Sequence, residues 1–301
     1  MDFLTDPVSW WIAPFADNDV MRQALWASLL TVLTTSVVGT WVVLRGLAFL
    51  GDALAHGVLP GIAVATIVGF DPAIGAVVAA LAMVLGIGSL RARSPLPDDT
   101  SIGLLFVGFL AVAVVLMSTP SAQRAGDLDR FLFGSIVAID GNDLLRQVVV
   151  AVVVVVGSIV LYRALLASTF DERMAGTLGF PPGRIRIALL CLLALAIVAS
   201  FETVGNLLVY AFLIAPPAAA ALVARRVPVI MMAAIAIGAV SAVVGLLLSY
   251  HHRTATGATM ALCTVSAFLL VLASRTVATA FHTSRDAHRE RIDQVELPSV
   301  G

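Results

Sequence analysis

The chain has 301 residues, of which 60% are hydrophobic and 12% charged, and its mean hydropathy is +1.01. Soluble domains run at about 45–50% apolar and ~25% charged residues, so this composition excludes a soluble enzyme or binding module. The formal net charge of −1 selects no charged partner, nucleic acid included.

The first 19 residues, MDFLTDPVSWWIAPFADND, are acidic and rich in tryptophan. They lack the basic start and small-residue cleavage site of a signal peptide, and Trp10 and Trp11 suit a membrane interface. A spanning helix needs about 20 mostly apolar residues. Nine segments are read as spans: 20–44, 47–69, 72–90, 101–117, 144–166, 185–201, 207–224, 229–250 and 258–279. Runs such as 148–156 are continuously apolar, which excludes the alternating strands of a membrane barrel. The predicted fold class is all-α, a compact polytopic bundle of about nine transmembrane helices. Small residues, as in AIAIGAVSAVVG of the eighth span, permit close helix packing. Between the fourth and fifth spans, 119–130 is polar and 131–139 is apolar but too short to cross, as a re-entrant or interfacial piece would be.

All 18 basic residues are arginines. With the N-terminus outside and nine crossings, the inner ends and loops hold most of them, the bias expected of cytoplasmic loops. Arg45 is then expected to anchor the inner interface. This organisation divides the chain into an extracytoplasmic segment 1–19, a membrane domain 20–280 and a charged cytoplasmic tail 281–301. No internal repeat is visible, which disfavours an inverted-repeat secondary transporter.

The second span contains LGDALAHGVLPG, residues 50–61. Asp52 and His56 are four residues apart and so share a helix face. A carboxylate and an imidazole placed that way can hold one divalent cation. Ionisable side chains are costly in a bilayer, so such a pair marks function before structure. Gly57, Pro60 and Gly61 loosen the helix just beyond the pair. Pro216 and Pro217 are expected to break the seventh span in the same way.

The longest inner loop, 169–185, reads TFDERMAGTLGFPPGRI. Asp171 and Glu172 suit a helix start, and Gly179 with Pro181 and Pro182 suits its end. A short amphipathic helix over about 170–180 is predicted. Glu202, near the outer end of the sixth span, and His251 are further candidate metal contacts. His251 and its neighbour His252 point about 100° apart on a helix, so both cannot readily face one ion. Cys191 and Cys263 lack metal-site spacing and read as core thiols. The methionines Met231 and Met232 read as packing.

Five blocks in order carry a resemblance: VVLRGLAFLGDALAHGVLPG (42–61), FLFGSIVAID (131–140), TFDERMAGTLG (169–179), VGNLLVYAFLIAPPAAAAL (204–222) and LLLSYHHRTATGATMAL (246–262). Over about 24–273 the chain resembles the permease subunit of bacterial ABC transporters for zinc, manganese or iron. The first block and APPAAAA look most like the zinc-type, or anchored repeat-type, branch. The resemblance implies an importer in the cytoplasmic membrane whose cargo is a divalent metal, zinc before manganese or iron. It implies two copies of the permease, a cytoplasmic ATPase dimer and an extracytoplasmic metal-binding protein, with no permanently bound cofactor. On this resemblance Asp52 and His56 fall on the positions that hold metal in transit. Phe170, Asp171, Glu172, Arg173, Gly176 and Gly179 fall on the helix seated in the ATPase. Family members often carry a tyrosine and an acidic residue where this chain has His251-His252-Arg253.

The chain has no GxxxxGK[ST] loop and no HExxH motif, so the residues offer neither a nucleotide site nor an intramembrane metalloenzyme. The alternative to metal-ion import is a permease for a chelate, such as a siderophore or haem.

Overall fold

The computed structural model describes residues 10–11, 13–16, 18–93, 97–119 and 141–295. The expected short apolar piece 131–139 lies outside the described residues. Among those described, the helices are α1 (Ala13–Ala16), α2 (Asp19–Leu44), α3 (Ala48–Gly57), α4 (Leu59–Val68), α5 (Pro72–Arg93), α6 (Asp98–Met117), α7 (Gly141–Val160), α8 (Tyr162–Phe170), α9 (Glu172–Thr177), α10 (Pro182–Val204), α11 (Asn206–Val223), α12 (Val227–His252) and α13 (Thr256–Val295). Eight spans are long and apolar enough to cross a membrane, α3 and α4 counting as one, and α11 is a shorter apolar helix. The all-α membrane bundle is therefore observed, and each predicted span coincides with helix.

Local chemistry sets many of the ends. Asn18 caps α2, its Oδ1 accepting from the backbone N–H of Val20 at 3.0 Å and Met21 at 3.4 Å. At the other end of α2, Gly46 takes φ +67, and its N–H donates to Val43 O at 3.1 Å while Leu47 N–H donates to Val42 O at 2.9 Å. That pair of bonds is a Schellman closure, which satisfies carbonyls left over at the helix end and turns the chain sharply into α3.

The centre of the bundle is α2, packed against α7, α10, α11 and α12. Its apolar residues Val32, Val38, Trp41 and Val42 are fully buried. So are Thr31 and also Ser28, Thr35 and Thr40, the last three with hydroxyls that bond back to carbonyls one turn earlier. Gln147 of α7 reaches across to Ala27 O and Thr31 Oγ1. A polar side chain inside a bundle has to find such partners because the hydrocarbon offers none. Helix α3 is enclosed by α5, α6, α10 and α11.

One proline expectation holds and the other needs correction. The second span breaks at Gly57–Val58, just beyond the pair as expected, with Pro60 in the first turn of α4. A proline has no N–H for the carbonyl four residues earlier, here that of His56, and its ring is best accommodated in the first turn of a helix. The seventh span is not broken: α11 runs continuously through Pro216 and Pro217. The Leu213 carbonyl that Pro217 cannot serve instead faces Gly39 of α2, where a Cβ would stand 2.0 Å from the oxygen. The close approach of α2 at Gly39 holds this part of α11 against its neighbour.

Contacts between loops sort the helix ends into two groups. At one end Asp71 Oδ2 lies 3.6 Å from Arg146 of α7, and Trp10 stacks on His251. Arg45, by contrast, binds the end of α8.

Candidate metal site

Asp52 and His56 occupy successive turns of α3 and share one face. Their side chains are 28% and 30% exposed, so the pair is accessible without being fully solvated. His56 Nδ1 lies 3.1 Å from the backbone carbonyl oxygen of Asp52 and 3.4 Å from its Oδ1. A carbonyl only accepts, so Nδ1 carries the hydrogen and donates it there. A ring turned this way by its Nδ1 hydrogen bond matches the orientation that backbone carbonyls give metal-binding histidines. The carboxylate of Asp52 supplies a hard oxygen on the same face.

Aromatic packing fixes the ring. Phe106 of α6 meets His56 edge to face, with centroids 5.7 Å apart and planes at 87°. Phe106 is in turn braced by Phe49, at 5.9 Å. Tyr210 of α11 stands within electrostatic reach of Asp52. Two glycines let neighbouring helices close on the pair. A Cβ on Gly51 would stand 2.4 Å from Leu213 Cδ2, and one on Gly57 would stand 2.1 Å from Met83 Sδ. Farther along, Gly61 and Gly75 bring α4 and α5 into backbone contact, each where the other's carbonyl leaves no room for a side chain.

Among the described residues no group of three His, Cys, Asp or Glu side chains is close enough to hold an ion. One chain therefore offers a candidate ion two side chains here. His251 sits elsewhere, at the exposed end of α12. Its ring stacks on Trp10 at 4.5 Å and 12°, with Nε2 3.2 Å from Trp10 O. Glu202 lies in the last turn of α10, and its side chain is outside the described residues. Pro216 packs with α12, its Cγ 3.5 Å from where a Cβ on Gly238 would be.

The predicted loop helix is α9. Asp171 caps it, Oδ1 accepting from the N–H of Arg173 at 2.8 Å and Met174 at 3.1 Å. Gly179, at φ +84, closes it as Gly46 closes α2, with Phe180 N–H on Ala175 O and Gly179 N–H on Gly176 O. Phe170 ends α8 and does not belong to α9. Pro182 starts α10 and does not terminate α9, in keeping with the preference of proline for a first turn. The side chain of Glu172 is outside the described residues, while Arg173 and Gly176 are exposed. Ala175 is buried, and Phe170, Met174 and Leu178 are 80%, 60% and 58% exposed. These exposed large apolar side chains, at the end of α8 and along α9, form a patch suited to docking. Sequence reasoning missed Met174 and Leu178 in that patch. It also missed Phe106, Met83 and Tyr210 around the pair, which no local pattern announces.

The profile of the ABC 3 transport family matches residues 17–275. The "Manganese transport system membrane protein MntC" of Halalkalibacterium halodurans is 38% identical over 250 residues, covering 83% of this chain and 85% of that protein. A "Probable iron transport system membrane protein" of Haemophilus influenzae is 31% identical over 263 residues, covering 87% and 96%. Among solved structures, PsaBC from Streptococcus pneumoniae in complex with Fab superposes with a TM-score of 0.78 at 31% identity, over 87% of this chain and 94% of that one.

Proposed function

Since the chain belongs to the ABC 3 transport family and is the multi-pass permease of a metal-importing ABC transporter, we propose that it carries manganese, with ferrous iron the second choice, through Asp52 and His56. The preference for manganese over the zinc expected from sequence rests on the names of the relatives, which mention manganese and iron. The ligand chemistry is compatible with all three ions, because a carboxylate and an imidazole suit manganese, iron and zinc.

The observation that carries the site is the Asp52–His56 geometry. Nδ1 lies 3.1 Å from the Asp52 carbonyl oxygen, and the ring and the carboxylate share one accessible face of α3. Two ligands make a weak site, and a transport site has to release its ion. A second copy bringing its own pair to a common axis would complete an Asp2His2 set. An extracytoplasmic binding protein delivers the ion, and an ATPase dimer engages the Phe170–Met174–Leu178 patch. The arginine bias supports an orientation with α9 in the cytoplasm, where such an ATPase operates. The permease itself hydrolyses nothing.

The test is uptake by vesicles holding the permease, its ATPase and its binding protein. Radioactive manganese, iron and zinc are offered in turn, with and without ATP. ATP-dependent manganese uptake that competing iron suppresses is the expected result. Uptake of zinc alone would reverse the metal assignment, and uptake of a chelate but no free ion would replace the reading altogether.

A further inference from the structure

We propose that Arg45 is the residue through which movement of α9 reaches the helix bearing Asp52 and His56. This rests on the reading of α9 as the ATPase-docking helix. An arginine anchoring the membrane interface would spread its head group into water. Here the guanidinium is half-buried, and its bonds run to the last turns of α8. Nε donates to Thr169 Oγ1 at 3.0 Å, and NH2 donates to Leu165 O at 3.2 Å and to Ser168 Oγ. Leu165 O also accepts from Thr169 Oγ1 at 2.7 Å and Ser168 Oγ at 3.3 Å. A positive group on several carbonyl and hydroxyl oxygens at a helix C-terminus is well placed electrostatically, and the planar fork of arginine holds them in one orientation.

Both sides of this contact lack slack. On the α8 side, Phe170 is followed at once by Asp171, which caps α9 through two backbone N–H groups. On the α2 side, Arg45 is the C-cap residue of α2, inside the closure formed by Gly46 and Leu47, and α3 starts at Ala48. A displacement of α9 therefore pulls on α8, and Arg45 passes it to the turn from which α3 begins. Nothing in the local sequence shows this, because Arg45 and Thr169 are 124 positions apart.

The experiment measures metal ions transported per ATP hydrolysed in vesicles containing permease, ATPase and binding protein, with manganese as the probe. Arg45→Ala should still assemble with the ATPase and hydrolyse ATP. Its transport ratio should fall at least about fivefold, the lower end of ordinary coupling between sites. Arg45→Lys should fall between the two, since an ammonium keeps the charge and loses the fork. Thr169→Val should lower the ratio in part, and should add nothing to Arg45→Ala. An unchanged ratio in Arg45→Ala overturns the proposal. If that variant does not fold, wild-type ratios in both Arg45→Lys and Thr169→Val overturn it equally. A wild-type complex that hydrolyses ATP and moves no manganese would instead overturn the assignment of the cargo.

Discussion

His56 holds its Nδ1 3.1 Å from the backbone carbonyl oxygen of Asp52, one turn before it on the same helix. The residue that supplies the carboxylate thereby also orients the imidazole. Asp52→Asn should remove a charged ligand and leave the ring in place, because the orienting bond uses the main chain. His56→Gln should remove the nitrogen ligand outright. Each is expected to lower metal uptake at least about 100-fold, since even partners behind the ligands are worth 10–100-fold. Assembly with the ATPase should survive, and co-purification beside isotope uptake checks both parts.

The backbone contact between Gly61 and Gly75 predicts a stability effect of known sign. Alanine in a helix interior is favoured over glycine by about 1 kcal/mol. Overpacking a tight contact costs about 1–3 kcal/mol, and here a Cβ on Gly61 would stand 2.0 Å from a carbonyl oxygen that cannot swing aside. The steric cost wins, so Gly61→Ala and Gly75→Ala should each lower the unfolding temperature in detergent. A stabilised Gly61→Ala protein would contradict the contact.

Gly57 presents the opposite case. A Cβ there would meet Met83 Sδ at 2.1 Å, and a thioether chain can move. Gly57→Ala should therefore be mild in stability and harmful in transport, because the displaced methionine and the turn both adjoin His56. Removing the obstacle in Gly57→Ala/Met83→Ala should restore part of the uptake. The comparison of single and double variants in vesicles reads this directly.

Phe170, Met174 and Leu178 should matter for assembly and not for folding. Their exposure means that little packing is lost on truncation. Replacing Met174 by Asp should weaken ATPase binding roughly tenfold or more, as removal of an apolar anchor from an interface does. Asp171→Ala removes the cap of α9 at a cost of about 1 kcal/mol, and should weaken binding more modestly. Titration of the detergent-solubilised permease with the ATPase separates the two effects.

Much of this was readable in the chain itself. Long apolar runs announce helices in a membrane because every backbone polar group must be satisfied within its own segment. Asp52 and His56 stood out because four residues make one helical turn and because ionisable groups are scarce in spans. Asp171 and Gly179 marked the ends of α9 through ordinary capping chemistry. Pro216 and Pro217 misled for the same reason that these succeeded. The local rule says that proline breaks a helix, yet α11 runs on through both, with its Leu213 carbonyl packed against Gly39 of α2.

The sequence by itself determined the all-helical membrane architecture, the shared face of Asp52 and His56, and the loop helix, since each depends on spacing within a few neighbouring residues. Tertiary structure alone decided that Phe106 braces His56, that Leu213 and Met83 close on Gly51 and Gly57, and that Arg45 grips the end of α8. Those contacts join residues far apart in the chain, and their existence depends on how whole helices cross. A one-dimensional pattern carries helical periodicity, but the crossing of two helices is set by the side chains of both together.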